Sequence, residues 1–231
     1  MKNRTAESAK LIPRLVFSAL VVNLPIHTYN SINIRLIFMT TTLYLVRHGS
    51  VKNPGNRVYW DGVALNRNGQ MQARKMGDYL AGKKIRRIIT SPFRRTLETA
   101  RLIADRIPDS PAILTSKPLG EVPWAKDWGG KKRTDIALWS VYRDHPERLS
   151  RHGISIESVA DRIRAFAETL LSRYPSQNLV LVSHGDIIKS LHWNLMRAPL
   201  RDFHRYGINK GEGLALIFEG KRLKRKRLVV M

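Results

Sequence analysis

The stretch LYLVRHGSV, residues 43–51, contains an apolar run that ends abruptly in an arginine, a histidine and a glycine. The run TLYLV at 42–46 is short and almost continuously apolar, which is typical of a strand that is covered on both faces. Charged and titratable side chains at the end of a buried strand cost free energy unless they have a use. Arg47 and His48 are therefore candidate functional residues.

Composition limits the classes of protein that this chain can belong to. The 231 residues are 43% hydrophobic, carry a formal net charge of +23 and include no cysteine. The length and apolar content predict a globular protein with one domain of ordinary size. The lack of cysteine excludes disulfides, thiolate metal ligands and a cysteine nucleophile. The strongly basic balance suits an anionic small substrate, a nucleic acid or an anionic membrane surface.

The first forty residues differ in character from the rest. An apolar run at 15–22 follows several positive charges and is broken by Asn23 and Pro25. It is too short to span a bilayer as a helix, and no A-x-A-like cleavage site follows it. We expect residues 1–40 to be a poorly ordered or non-native extension, with Met39 as an alternative start of translation. We expect a cytoplasmic protein without a transmembrane segment, export through a weak signal being the alternative.

Strand and helix patterns alternate from residue 42 onwards. Strands are predicted at 42–46, 85–90, 112–116 and 178–185, with a closing pair at 214–220 and 221–230 that turns at Gly220. Helices are predicted at 65–83, 91–107, 155–174 and 186–197. Ser91 is expected to cap the second helix and Pro92 to occupy its first position. The pattern predicts a three-layer α/β/α fold with a mostly parallel central sheet, formed by a single domain at 41–231.

Three of the predicted strands are followed by polar residues, at 47–49, 91–95 and 183–185. Ligands of open α/β sheets bind at the carboxyl ends of the strands. If the three strands are neighbours, four cationic or titratable side chains meet there, namely Arg47, His48, Arg95 and His184. The N-termini of the following helices would add positive potential. Such a group of side chains can surround a doubly charged oxyanion, for which phosphate is the obvious candidate.

The segments LVRHG, LNRNGQMQA, SPFRRTLETA and VSHGD occur in an order and approximate spacing that resemble the histidine phosphatase superfamily, the phosphoglycerate mutase-like group. The resemblance covers about residues 42–220, and the ordered set is far more specific than the tripeptide RHG. RHGSVKNPGNRVYW, from residue 47, looks most like the loop of the small broad-specificity phosphatases. The resemblance implies a phosphoglycerate mutase-like fold and a phosphatase that needs neither cofactor nor metal.

The resemblance also implies roles for individual residues. His48 would be the nucleophile that carries a phosphohistidine, with its other ring nitrogen donating to a backbone carbonyl. Arg47 and Arg95 would hold the non-bridging phosphate oxygens, and His184 would stabilise charge in the transition state. Asn53 would contact phosphate, although it falls one position earlier than the asparagine of the commoner family loop.

Glu121, in PLGEVPW, matches the family's proton donor to the leaving oxygen. Partial desolvation by Trp124 and Trp128 could supply the raised pKa that a general acid needs. Glu121 belongs to a segment, about 117–153, that we expect to act as a lid and that lacks the family's mutase pattern. Several basic residues on this segment indicate a substrate with additional negative charge, and they are Lys117, Lys126, Lys131, Lys132 and Arg133.

Other polar residues have simpler interpretations. Asp186 is interpreted as a helix-start residue that is favourable near the helix dipole. Five histidines have no metal-ligand spacing and are expected to be surface or core residues: His27, His145, His152, His192 and His204. The run KRLKRKR at 221–227 is most simply a solvated edge strand, in which charge discourages aggregation.

The sequence therefore predicts a metal-independent phosphomonoester hydrolase that acts through phosphohistidine on a small anionic phosphate ester. A phosphoglycerate-type mutase is the first alternative. A non-catalytic basic protein on the same fold that binds RNA or an acidic partner is the second, and nucleic acid is not the expected partner. The sequence predicts neither the physiological ester nor the oligomeric state.

Overall fold

The computed structural model describes residues 40–52 and 56–230. These residues contain six strands: β1 Thr40–Arg47, β2 Ile85–Thr90, β3 Ile113–Thr115, β4 Asn178–Ser183, β5 Gly213–Glu219 and β6 Arg222–Val229. They also contain six α-helices: α1 Arg67–Ala81, α2 Arg94–Ala104, α3 Ala125–Trp128, α4 Trp139–Asp144, α5 Ile156–Arg173 and α6 Gly185–Met196. The predicted extension, apart from Thr40, lies outside the described residues, as does Asn53.

The six strands form one sheet in the order β3-β2-β4-β1-β5-β6. The first four of these are parallel, and the β5–β6 hairpin joins them antiparallel through β1. Arg47 pairs with Ser183 at the end of β1 and β4, and Thr90 pairs with Val182 at the end of β2. The three strands that precede the polar segments are therefore direct neighbours with their carboxyl ends together. The predicted α/β fold with a mostly parallel sheet is confirmed.

Apolar side chains cover both faces of the sheet, which explains why β1 is almost continuously apolar. Leu43 and Leu45 belong to a cluster formed with α5, α6 and the 117–153 segment. Tyr44 and Val46 belong to a second cluster that contains the buried faces of α1 and α2. Because side chains alternate along a strand, a strand packed on both sides needs apolar residues at nearly every position.

Two of the six described α-helices, α1 and α5, begin at a residue whose side chain caps a free amide. The Asn66 side chain accepts from the Gly69 amide at the start of α1, and Ser155 accepts from the Ser158 amide at the start of α5. The expectation that Ser91 caps α2 is wrong. This helix begins at Arg94, and its N-cap residue Phe93 provides no side-chain cap. The Ser91 hydroxyl lies before the helix, where it accepts from the Phe93 amide over 3.4 Å and contacts a histidine ring.

Segment 117–153 consists of short helices that pack through aromatic side chains. Besides α3 and α4 it contains three 3₁₀-helices: η1 Lys117–Leu119, η2 Arg133–Asp135 and η3 Pro146–His152. Another, η4 Leu200–Tyr206, follows α6. The rings of Trp128, Trp139 and Tyr142 contact one another at centroid distances of 5.4 to 6.2 Å. No helix within residues 40–52 and 56–230 is long and apolar enough to cross a membrane.

Candidate active site

His48 follows the last residue of β1 and is almost completely buried, with 1% of its surface exposed. Its Nδ1 lies 2.8 Å from the carbonyl oxygen of Gly49. A carbonyl oxygen only accepts hydrogen bonds, so Nδ1 carries the proton and Nε2 keeps its lone pair. Burial first, and then the charge of Arg95, hold the pKa of His48 well below its ordinary value of 6.5. The ring is therefore neutral at neutral pH, as a nucleophile must be.

His184 occupies the N-cap position of α6 and is fully buried. Its Nδ1 lies 3.0 Å from Nη2 of Arg95, and its Nε2 lies 2.8 Å from the Ser91 hydroxyl. Because a guanidinium only donates, Nδ1 accepts and Nε2 donates to Ser91. Burial and the Arg95 charge lower the pKa of His184 well below 6.5. The rings of His48 and His184 approach edge to face with their centroids 5.6 Å apart.

Arg95 is completely buried in the first turn of α2. Its Nη1 donates to the Trp60 carbonyl over 2.8 Å, and its Nη2 lies 3.3 Å from Oε2 of Glu121. Its Nε has no hydrogen-bond partner within the described residues. Buried N–H donors are rarely left unpaired, so this atom is suited to an acceptor that enters the site.

Arg47 ends β1 and lies against the start of α6. Its Nη1 donates to the Ile208 carbonyl over 2.7 Å, and its buried Nε also has no partner in the described part of the chain. The guanidinium packs directly on Gly185, where a Cβ would lie 2.8 Å from Cζ of Arg47. Gly185, the glycine of VSHGD, is therefore required because the Arg47 side chain leaves no room for a Cβ atom.

Glu121 connects this cluster to the 117–153 segment. Its Oε2 lies 3.3 Å from both Arg95 Nη2 and His184 Nδ1, and its Oε1 accepts from the Val122 amide. Burial raises the pKa of Glu121 above its ordinary value, and the charge of Asp186 adds to this effect against the opposing charge of Arg95. A carboxyl group with a raised pKa keeps its proton at higher pH, which is what a general acid requires.

A cavity of about 310 Å³ opens next to these residues. His48, Arg47 and Glu121 line it, together with aromatic side chains, most of them from the 117–153 segment, and further charged residues. The aromatic residues are Tyr59, Trp124, Trp128, Trp139 and Tyr142. The remaining charged or titratable residues are Arg133, Arg143, Asp186, Lys189 and His204.

The model of the histidine phosphatase superfamily (branch 1) matches residues 43–230. The chain belongs to this superfamily. Among its relatives, the uncharacterized phosphatase PhoE of Bacillus subtilis is 25% identical over 157 residues, which are 65% of this chain and 75% of the relative. Phosphoserine phosphatase 1 of Hydrogenobacter thermophilus is 25% identical over 193 residues, which are 78% of this chain and 88% of the relative.

Solved structures of other proteins have a similar fold. YhfR of Bacillus stearothermophilus superposes with a TM-score of 0.71 at 22% identity, covering 80% of this chain and 94% of that one. A phosphoserine phosphatase from Entamoeba histolytica superposes with a TM-score of 0.69 at 23% identity, covering 83% of this chain and 98% of that one. The predicted family and the prediction of a phosphatase-type enzyme are confirmed.

The sequence predicted six residues for the site of this histidine phosphatase. The structure brings five of them together, namely Arg47, His48, Arg95, Glu121 and His184. The predicted role of Asn53 falls outside the described residues. Trp124 and Trp128 line the same cavity as Glu121, as their expected position beside this carboxyl group requires. Within the described residues, no three His, Asp or Glu side chains are grouped as a metal site requires.

Other residues of the site were missed or misread from the sequence. Of the five basic residues predicted to crowd the segment, only Arg133 lines the cavity next to His48, and Arg143 and Lys189 were not identified. His204, expected to be an ordinary surface or core residue, also lines it. The spacing of Lys189 three residues after Asp186 on one helix was a usable signal, because such side chains share a helix face.

Proposed function

We propose that this histidine phosphatase hydrolyses phosphomonoesters through a phosphohistidine on His48. One observation carries the proposal: the His48 ring is held by Gly49 in the tautomer that leaves Nε2 unprotonated, in a site with Arg47 and Arg95. Both arginines have a buried Nε without a partner in the described residues, which suits the oxygens of a phosphoryl group.

In the first step, Nε2 of His48 attacks phosphorus and the bond between phosphorus and the ester oxygen breaks. The electron pair of that bond stays on the ester oxygen, which takes the proton of Glu121 and leaves as an alcohol. Arg47 and Arg95 bind the non-bridging oxygens. His184, whose single N–H donates to Ser91, accepts from Arg95 through Nδ1 and so holds this guanidinium where it can stabilise the charge that develops on the phosphoryl group.

In the second step, the ionised Glu121 accepts a proton from water while the water oxygen attacks the phosphohistidine. The P–N bond breaks, phosphate leaves, and His48 returns to its neutral form with Glu121 protonated again. The raised pKa of Glu121 supports both roles, because a carboxyl group that titrates closer to neutral pH donates and accepts a proton with comparable ease.

The substrate class that we propose is a small phosphate ester with an anionic phosphoryl group. The cavity of about 310 Å³ lies at the small end of the range for ligand sites, which favours a small leaving group. The relative named phosphoserine phosphatase supports hydrolysis of a small phosphomonoester.

The experiment is a turnover assay over a panel of phosphomonoesters with EDTA present. The native chain is compared with His48→Ala and with His152→Ala, an exposed histidine of η3 that serves as the matched control. We expect hydrolysis by the native chain and by the control, and none above background by His48→Ala. Turnover that survives in His48→Ala would rule out this nucleophile. Formation of isomers in place of free phosphate would identify a mutase.

A further inference from the structure

Four side chains that take no direct part in the proposed reaction form a network in the wall of the cavity. The Lys189 ammonium lies 2.8 Å from Oδ1 of Asp186, 3.1 Å from Nδ1 of His204 and 3.2 Å from the Tyr142 hydroxyl. The Tyr142 hydroxyl also donates to Oδ1 of Asp186 over 2.6 Å. His204 donates through Nε2 to the Tyr142 carbonyl over 2.7 Å, so its Nδ1 accepts from Lys189.

Lys189 is fully used within this network. An ammonium has three N–H donors, and three acceptors surround this one while its side chain is only 11% exposed. A second anionic group of a substrate would have to displace one of them. Lys189 therefore serves to hold Asp186, not to bind the substrate directly.

Asp186 has one carboxylate oxygen left for a ligand. Within the described residues, the hydrogen bonds to its side chain end on Oδ1, and the side chain is 25% exposed where it lines the cavity. Burial alone would raise the pKa of Asp186, but the charge and hydrogen bond of Lys189 and the Tyr142 hydroxyl outweigh it and hold the pKa below its ordinary value. Oδ2 is therefore a charged acceptor that is available to a donor in the cavity.

The surroundings of Asp186 select which kind of donor fits. Arg47, Arg133 and Arg143 line the same cavity, so a positively charged ammonium group would meet several cations. A neutral hydroxyl meets no such repulsion. Trp128 and Trp139 add flat apolar surfaces against which the C–H groups of a hydroxylated carbon chain can pack.

We infer that Asp186 is a specificity-determining residue that accepts a hydrogen bond from a hydroxyl of the leaving alcohol, and that this enzyme prefers phosphomonoesters of polyols or sugars. The inference rests on the proposed function, because it concerns the leaving group of the same reaction. Tyr142, Lys189 and His204 act as positioning residues for Asp186.

The test compares kcat/KM for glycerol 1-phosphate and for propyl phosphate, which differ in the two hydroxyl groups alone. Both alcohols need a proton from Glu121, so any effect of Asp186 on that group cancels in the ratio. We expect the native chain to prefer glycerol 1-phosphate by about ten- to a hundredfold, as a hydrogen bond to a charged group allows. Asp186→Asn should lower this preference about tenfold.

Asp161→Asn, an exposed position on α5 with the same change of charge, is the matched control and should keep the ratio. Tyr142→Phe, which removes one bond that orients Asp186, should lower the ratio a few-fold. An equal loss on both esters in Asp186→Asn, or no preference in the native chain, would overturn the inference.

Binding to His48→Ala, measured by calorimetry, separates this inference from the proposed function. A preference for glycerol 1-phosphate that Asp186→Asn removes in the His48→Ala background supports the hydroxyl subsite even if the native chain hydrolyses no ester. Equal affinity for both esters in that background counts against it. Absence of turnover on every ester, nitrophenyl phosphate included, contradicts the proposed reaction alone.

Discussion

Replacing Gly185 by alanine should disable the site while leaving the fold intact. The new Cβ would lie 2.8 Å from Cζ of Arg47 and 3.0 Å from its Nε, whereas carbon atoms in contact prefer about 3.5–4.0 Å. The guanidinium must therefore retreat by about 1 Å, and the 2.7 Å hydrogen bond from Nη1 to the Ile208 carbonyl is lost or strained. A misplacement of this size at a reacting centre costs about a hundredfold in rate.

The stability of Gly185→Ala should hardly change, because the displaced atoms are the end of a flexible side chain. Alanine at this first position of α6 also reduces the conformational entropy of the unfolded chain, which offsets the strained hydrogen bond by about 0.4–1 kcal/mol. The assay is kcat/KM on nitrophenyl phosphate together with the urea midpoint of unfolding. Gly82→Ala, where a Cβ would meet nothing within 4 Å, is the control for both readouts. Native-like kcat/KM in Gly185→Ala, or a loss of stability in place of activity, would refute the reasoning.

Three further predictions follow from the same geometry. Glu121→Gln should lower kcat/KM about a hundredfold on alkyl phosphates and much less on nitrophenyl phosphate, because the nitrophenolate leaving group needs no proton. Equal losses of kcat/KM on both kinds of ester would exclude Glu121 as the general acid. The lowered pKa of His48 and the raised pKa of Glu121 predict how activity on alkyl phosphates depends on pH. Activity should persist below pH 6.5, fall as the pH drops through the lowered pKa of His48, and fall again as the pH rises through the raised pKa of Glu121. A pH–rate profile whose acid limb lies at or above 6.5 would contradict this prediction. Gly69→Ala should lower the free energy of unfolding by about 1–3 kcal/mol or more, because its Cβ would overlap the backbone of Ser50; an unchanged urea midpoint would disprove that contact.

The convergence of the catalytic residues could be predicted because it depends on regular features of an α/β sheet. Apolar runs mark the strands, polar residues mark their carboxyl ends, and β1, β4 and β2 are in fact adjacent. The order of the strands in the sheet could not be predicted, since periodicity does not reveal which strands pair. The family resemblance supplied Glu121, which lies outside the regular elements.

Contacts between distant parts of the chain could not be predicted from local patterns. Ser91 has the sequence of a helix cap, but its hydroxyl binds His184, 93 positions along the chain. The tertiary contact prevails, because a buried imidazole N–H must find an acceptor. Likewise Asp186 has the sequence of a helix-start residue, and its partner Tyr142 lies 44 positions away on α4.

The central claim is that the phosphoryl group passes through His48, and trapping that intermediate tests it most directly. Glu121→Gln mixed with nitrophenyl phosphate should form the phosphoenzyme, because this leaving group needs no acid, and should hydrolyse it slowly, because the base for water is missing. An alkaline quench, which preserves phosphohistidine, followed by peptide mass spectrometry should locate one phosphoryl group on His48, with a matching burst of nitrophenol. A phosphoryl group on another residue, or turnover without any phosphoenzyme or burst in this variant, would contradict the account.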